Sequence, residues 1–298
     1  MYRKQYICIA TFFLSFCLID FSIGLFFKNK FHEIDSGAIG QISRALNSVS
    51  DLFIVGSSRA KYHYNPYIIS SITNIDSYNA GLDGYGIYYN YALIMERIKI
   101  NKPKVVILDI SPNIFVDTST YEKLNLFIPY SSSYESFNEI IQIKPSYSYQ
   151  LRWINSIVYN SSLYDISRNY FFPKDFDPKG YDPIRSINKD KIDKYFKYNN
   201  EEIDENKIYY FKKFLEICNK NNIELICVIS PTLNKYDDEN LVVDLLKEQN
   251  PYEDIHFWDY SDHYEFYGKD YLFKDQLHLN SIGADKFSII ISNRIKEL

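Results

Sequence analysis

Few residues in this chain suit metal or redox chemistry. There are four cysteines, Cys8, Cys17, Cys218 and Cys227. No CxxC pair and no Cys/His ligand spacing occurs, which excludes the common zinc sites. The first two cysteines fall in an apolar N-terminal run. The other two fall in an expected helix and the strand after it, where they are either a disulfide or two buried thiols. Asp259, Asp262, His263, Asp275 and His278 crowd one stretch, but their spacing fits no common ligand pattern, so neither a metal nor another cofactor is expected. Glycine and proline are scarce, at 10 each. No long basic run or Arg-rich stripe is present, and net charge is −5. A nucleic-acid partner, which needs a basic face, is therefore not expected. What the chain has instead is aromatic residues: 17% of its 298 positions, with 29 Tyr and 21 Phe. This excess reflects either genomic base composition or a Tyr-lined groove that stacks on sugar rings.

One long apolar run stands out. Tyr6 to Phe27 reads YICIATFFLSFCLIDFSIGLFF, with Asp20 as its single charge. A helix of about 20 residues crosses a hydrocarbon core of about 30 Å. A signal peptide has a shorter apolar core and a small-residue cleavage site, and no A-x-A-like site follows closely. An uncleaved anchor over residues 1–28 is expected. Arg3, Lys4 and the amino terminus precede the run and Lys28 and Lys30 follow it, a slight preference for the N-terminus inside. The rest of the chain is then extracytoplasmic. Asp20, costly in lipid, lies near the outer interface or faces a partner helix.

Residues 29–50 read as a linker and a short helix with Ile42, Leu46 and Val49 on its apolar side. From residue 51 to the end, short apolar runs alternate with helical periodicity. Asp51 to Gly56, Ser77 to Asn79, Val105 to Ile110, Ile223 to Ile229 and Ile255 to Trp258 read as strands. Pro66 to Ile72, Tyr85 to Lys99, Glu201 to Asn219, Leu241 to Glu248 and Ser281 to the end read as helices. Five alternations imply a three-layer α/β/α sandwich around a five-stranded parallel sheet. Residues 118–200 break the rhythm and are expected to form a helical or irregular lid insertion, with weak helices near 134–142 and 149–158.

Active sites of such sheets gather at the carboxyl ends of the strands. Ser57, Ser58, Gly81, Ser111, Asn113, Ser230 and Asp259 fall there. A serine nucleophile needs an adjacent base, usually His, which in turn needs an orienting carboxylate and donors aimed at the developing oxyanion. Ser58 stands in the turn after the first strand, where Gly56 permits a tight backbone. Asp275 and His278, three apart just before the last helix, can hydrogen-bond each other.

These blocks resemble the SGNH/GDSL hydrolase superfamily, from Asp51 to the C-terminus. Gly56-Ser57-Ser58 is similar to its Gly-Asp-Ser block, with Ser58 as nucleophile. Asn79-Ala80-Gly81 is similar to the second block, whose glycine gives a backbone donor. Ser111-Pro112-Asn113 is similar to the third, with Asn113 as oxyanion donor, although the flanking Gly and Asp are absent. Asp275-x-x-His278, continuing Leu279-Asn280-x-x-Gly283-Ala284, matches the last. The resemblance implies a flavodoxin-like fold and a catalytic triad of Ser58, Asp275 and His278. It further implies an oxyanion hole of Ser58, Gly81 and Asn113. The Ser57 variant looks like membrane-anchored relatives among surface-polysaccharide enzymes and like the D-alanylation protein of teichoic acids. That suggests an ester hydrolase or O-acyltransferase, acting on an acylated cell-surface glycan or other ester at the bacterial cell envelope, with a membrane acyl-donor protein as a possible partner. The alternative is a non-catalytic assembly or scaffold component built on an inherited hydrolase fold. Ser57 is the alternative nucleophile. Arg59, His63 and Trp153 are candidate substrate contacts; the competing readings are an ion pair for Arg59, an exposed helix position or second base for His63, and lid packing for Trp153.

Overall fold

The computed structural model describes residues 2–111, 114–116, 120–172, 176–186, 203–234, 246, 248–252 and 254–298. Its helices are numbered in chain order among those described. Two, α1 (Tyr2–His32) and α2 (Gly37–Asn47), precede the first strand, β1 (Leu52–Val55). Then come α3 (Ser58–His63), α4 (Pro66–Thr73), β2 (Ser77–Asn79), α5 (Ile87–Asn101) and β3 (Val105–Asp109). After β3 lie α6 (Thr120–Lys123), α7 (Glu135–Ile141), α8 (Tyr147–Gln150), α9 (Asn155–Val158) and α10 (Leu163–Phe171). The last third holds α11 (Glu205–Lys220), β4 (Glu224–Ile229), β5 (His256–Asp259) and α12 (Ser281–Ile295). The expected helix over Leu241 to Glu248 lies mostly outside the described residues.

The five strands form one sheet in the order β2-β1-β3-β4-β5, every pairing parallel. This is the flavodoxin-like doubly wound order, whose switch point falls between β1 and β3. The strands read as apolar runs because both of their faces are covered. Leu52, Ile54, Ile107, Ile226 and Val228 share one core with Phe287, Ile291 and Ile295 of α12. Phe53, Val106, Leu108 and Leu225 alternate with them and are also buried. On that second face Arg97 of α5 lies over the Phe53 ring at 5.1 Å, and α5 packs on α11. Burying one Phe or Ile of this kind contributes about 1.5–3 kcal/mol.

The helices begin and stop where side-chain chemistry directs. Asn65 accepts the Tyr67 amide and Pro66 follows it at the start of α4, which ends on Asn74 at φ 58°. In α2, Ile42 and Leu46 are buried as expected. Val49 is not: it lies past the end of the helix and is 77% exposed. Seven-residue spacing from Ile42 has no meaning once the helix has stopped at Asn47. Similarly, α1 continues four residues beyond the expected anchor boundary at residue 28.

Contacts divide the chain into two units, residues 1–43 with 121–175, and residues 44–120 with 176–298. The irregular stretch after β3 is thus shared between them. Residues 176–186 belong with the sheet unit: Asn79 N–H donates to the Lys179 carbonyl at 2.9 Å, Lys179 pairs with Asp76 at 2.7 Å, and Ser281 N–H donates to the Ile184 carbonyl. Residues 187–202 lie outside the described set.

In the N-terminal unit α1 is long and apolar enough to cross a bilayer. Its residues 3–19 are exposed on every side. From Asp20 onward one face is covered, through Gly24 and Phe31. Asp20 Oδ2 accepts the Asn155 amide at 2.8 Å and Asn155 Nδ2 at 3.1 Å, and Oδ1 accepts the Ser156 amide at 2.9 Å. The carboxylate therefore caps α9 from another element, filling a role that Ile154 cannot. A Cβ on Gly24 would stand 2.3 Å from Asn155 Cβ, so only glycine lets the two backbones approach this closely. Phe31 meets the rings of Tyr130 at 5.0 Å and Tyr159 at 5.8 Å, and Phe127 meets Phe137 at 5.2 Å. Part of the aromatic excess is the core of this unit.

Candidate active site

β1 delivers the chain to Ser58 through a glycine that no other residue replaces easily. Gly56 sits at φ 146°, and a Cβ there would meet Ala60 Cβ at 2.7 Å and the Asp109 carbonyl at 2.9 Å. The backbone turns tightly against the end of β3 and starts α3 at once. Ser58 is its first residue, and the Ser58 amide pairs with nothing among the described residues.

The partner of Ser58 arrives 220 residues later. Ser58 Oγ lies 2.8 Å from His278 Nε2. His278 Nδ1 lies 2.9 Å from Asp275 Oδ2 and 3.0 Å from Oδ1. Asp275 Oδ1 also accepts the Leu277 and His278 amides at 2.8 and 2.9 Å. Burial pushes the Asp275 carboxyl upward, but the hydrogen bonds from His278 and these amides outweigh it and hold the group below its ordinary value. As an acceptor, ionised Asp275 keeps the imidazole proton on Nδ1, which leaves Nε2 to accept from the Ser58 hydroxyl.

The turn carrying His278 is itself pinned. Phe273 and Leu279 form an antiparallel bridge, and both side chains are buried. Asn280 caps α12 by accepting the Ile282 and Gly283 amides at 3.0 and 3.1 Å. A Cβ on Gly283 would lie 2.3 Å from the Leu272 carbonyl. The residues that follow His278 are thus the clasp between its turn and the last helix.

Beneath this row lies a buried polar group that the sequence reading did not assemble. The short α3 turns Arg59, Ala60 and His63 inward and leaves Lys61 and Tyr62 half-exposed. His63 Nε2 accepts the Leu279 amide at 2.9 Å, and its Nδ1 lies 2.8 Å from Ser230 Oγ. Arg59 donates to Ser230 Oγ from Nε at 3.0 Å and from Nη2 at 2.9 Å, and Nη2 also donates to the Ser230 carbonyl. Its Nε stands 3.6 Å from Asp109 Oδ1, and Asp109 Oδ2 accepts the Tyr64 hydroxyl at 2.7 Å. Burial, then the Arg59 charge, drives the His63 pKa well below the usual imidazole range. Burial beside Asp109 pushes the Tyr64 hydroxyl well up. His63 is therefore neutral, donating from Nδ1 and accepting at Nε2.

Three expectations are corrected here. Arg59 and His63 are wholly enclosed by protein, so neither is a substrate contact; Arg59 is the structural ion pair and His63 holds the loop of its fellow histidine. The Gly81 amide is already donated, to Asn79 Oδ1 at 3.0 Å. The need for glycine there is packing: a Cβ would lie 2.3 Å from the Lys61 nitrogen. Asn113 lies outside the described residues. Trp153 belongs to the N-terminal unit, where it is exposed. Asp259 closes a turn by accepting the amide and hydroxyl of Ser261. Asp109, Tyr64, Ser230 and Tyr62 are additions. Only Ser230 carried a signal, its place at a strand end. Tyr62 sets its ring edge-on to His278 at 5.7 Å between centroids and donates to Asp83 at 3.2 Å.

No protein family and no curated protein sequence matches this chain. Several solved structures overlap it, among them two of esterase type. A Bacteroides fragilis protein assigned as an acylhydrolase is 13% identical, covers 83% of this chain and 86% of its own, and has a TM-score of 0.41. An acetyl xylan esterase from the rumen bacterium Butyrivibrio proteoclasticus is 11% identical, covers 83% of this chain and 63% of its own, with a TM-score of 0.36.

Proposed function

We propose that this chain is a serine-dependent ester hydrolase or O-acyltransferase of the SGNH/GDSL type. The single observation that carries the reading is the unbroken row Ser58 Oγ, His278 Nε2, His278 Nδ1, Asp275 at the carboxyl end of β1. In it Ser58 Oγ attacks the ester carbonyl while His278 Nε2 takes its proton. Asp275 stabilises the imidazolium. The alcohol leaves with the proton returned from Nε2, and an acyl-Ser58 ester remains. Water resolves it in a hydrolase, a sugar hydroxyl in a transferase. The Ser58 amide is one donor for the oxyanion, and the family resemblance implies the Asn113 side chain as a second. The N-terminal apolar helix supports an anchored protein with its catalytic unit outside the cytoplasm, at a bacterial cell envelope, acting on a surface glycan ester. A membrane acyl-donor protein is the partner a transferase needs.

Ser58→Ala tests this reading. Turnover of a simple acetyl ester and labelling by a serine-directed phosphonate should both disappear, with the fold intact by circular dichroism. Undiminished turnover removes Ser58 from the mechanism. The engaged Gly81 amide favours one second reading, a non-catalytic scaffold in a glycan-modifying complex. Normal glycan acylation in a Ser58→Ala strain, with loss only on deleting residues 1–28, selects the scaffold.

A further inference from the structure

The N-terminal unit carries an unusual surface. Tyr147, Trp153, Tyr164, Tyr170, Phe171 and Phe172 are all exposed, each above 60%. On α10, Tyr164 and Phe171 are seven apart and share one side, while the buried Ile166 points the other way. The helix thus buries one apolar side chain inward and turns large aromatic ones outward, the reverse of a helix facing water.

Geometry says what covers them. Counted from Gln5, just past Arg3 and Lys4, a hydrocarbon core of about 30 Å takes about 20 helical residues and ends near Gly24. Asp20 then lies about 6 Å inside that boundary. Three N–H groups of Asn155 and Ser156 reach it there, as an ionised carboxylate at such depth requires. The first turn of α9 is therefore tied to α1 at the edge of the apolar layer. α10 packs on α1 as well, and Tyr170 receives Lys30 over its ring at 5.4 Å.

We propose that residues 147–172 form an interfacial membrane element, with α8 to α10 seated in the headgroup layer of a phospholipid bilayer and Tyr147, Trp153, Tyr164, Phe171 and Phe172 inserted among the lipids, while Tyr170 stays beside Lys30. Tyr and Trp suit that layer because one end of the ring system is apolar and the other makes hydrogen bonds. The Asp20 cap ties α9 to the proposed spanning helix, which would keep an amphipathic segment at the interface. The proposal rests on α1 being a membrane span.

The chain has two tryptophans, Trp153 and the buried Trp258, so Trp258→Phe leaves Trp153 as the sole reporter. The full-length variant is reconstituted into phosphatidylcholine vesicles brominated either near the headgroup end of the acyl chain or near its middle, and floated on a density gradient. Trp153 emission should shift to the blue, be quenched most by the shallow bromines, and be quenched by aqueous iodide several-fold less than in the urea-unfolded protein. Floating protein whose Trp153 is quenched by iodide and not by bromine overturns the proposal and leaves the span standing. Floating protein quenched by neither has another protein surface over Trp153, and also overturns it. Protein that does not float removes the span and the proposal together. Should Trp258→Phe fail to fold, subtracting Trp153→Phe emission from that of the unsubstituted protein gives the same readout.

Discussion

Replacing His63 with Gln should flatten the dependence of stability on pH. In the folded protein His63 is enclosed, faces Arg59, Ser230 and His278, and is held neutral by burial and by the Arg59 charge. In the unfolded chain it takes up a proton at its ordinary value of 6.5. The unfolded state therefore binds more protons as pH falls, and stability is whole above 6.5 and lost below it. The slope approaches about 1.4 kcal/mol per pH unit for as long as the folded imidazole stays neutral. Between about pH 7.5 and about pH 5 the loss comes to about 2 kcal/mol. For a domain of this size that is about 4–8 °C in Tm. Gln keeps an acceptor for the Leu279 amide but does not titrate. Thermal unfolding followed by circular dichroism in detergent, at several pH values, gives both curves. Their difference isolates His63 from the other titrating groups. Parallel curves for the two proteins over this range refute a neutral, load-sharing His63.

Asp275→Asn should lower kcat by about 10⁴-fold with little loss of stability. Asn Oδ1 can still accept the Leu277 and His278 amides, which turns the amide NH2 toward His278 Nδ1 and forces the proton onto Nε2; ester turnover against Tm separates the two effects. Gly283→Ala should lower stability by about 1–3 kcal/mol, because the new methyl meets the Leu272 carbonyl, whereas a helix-interior Gly→Ala change otherwise stabilises by about 1 kcal/mol. A raised Tm contradicts the contact. Asp20→Leu should strip the Asn155 and Ser156 amides of their acceptor, at about 1–3 kcal/mol for each group. Hydrogen exchange at those two amides should accelerate.

Much of the sheet was legible because β1, β3 and β4 are covered on both faces and so are written as unbroken apolar runs. β2 is only Ser-Tyr-Asn and is marked by its place before Ala80-Gly81 rather than by hydrophobicity. The proximity of Ser58, Asp275 and His278 is legible because the strand-end rule and a three-residue spacing act locally. Their supports are not. Which way a six-residue helix turns its side chains is decided by what packs on it, so the sequence leaves the ion pair of Arg59 open and does not show that His63 is enclosed. The bond of the Gly81 amide is not legible in the sequence, because the direction of an amide depends on a neighbouring side chain, here Asn79. In residues 121–172 the expected helix near 134–142 is α7, but the other helices are only four to nine residues long, too short to impose a sustained period of 3.6 along the sequence.

The cap on Asp20 also carries a schedule. Its acceptors are satisfied by residues 135 and 136 positions further along the chain. At about 5–20 residues per second, translation delivers them roughly 7–30 s after Asp20 itself is made. On the reading proposed above, in which α1 spans a bilayer, Asp20 stands as an uncompensated acid near the edge of the lipid during that interval. For a spanning α1, the order of synthesis alone then calls for early residence at the headgroups, or a borrowed set of donors.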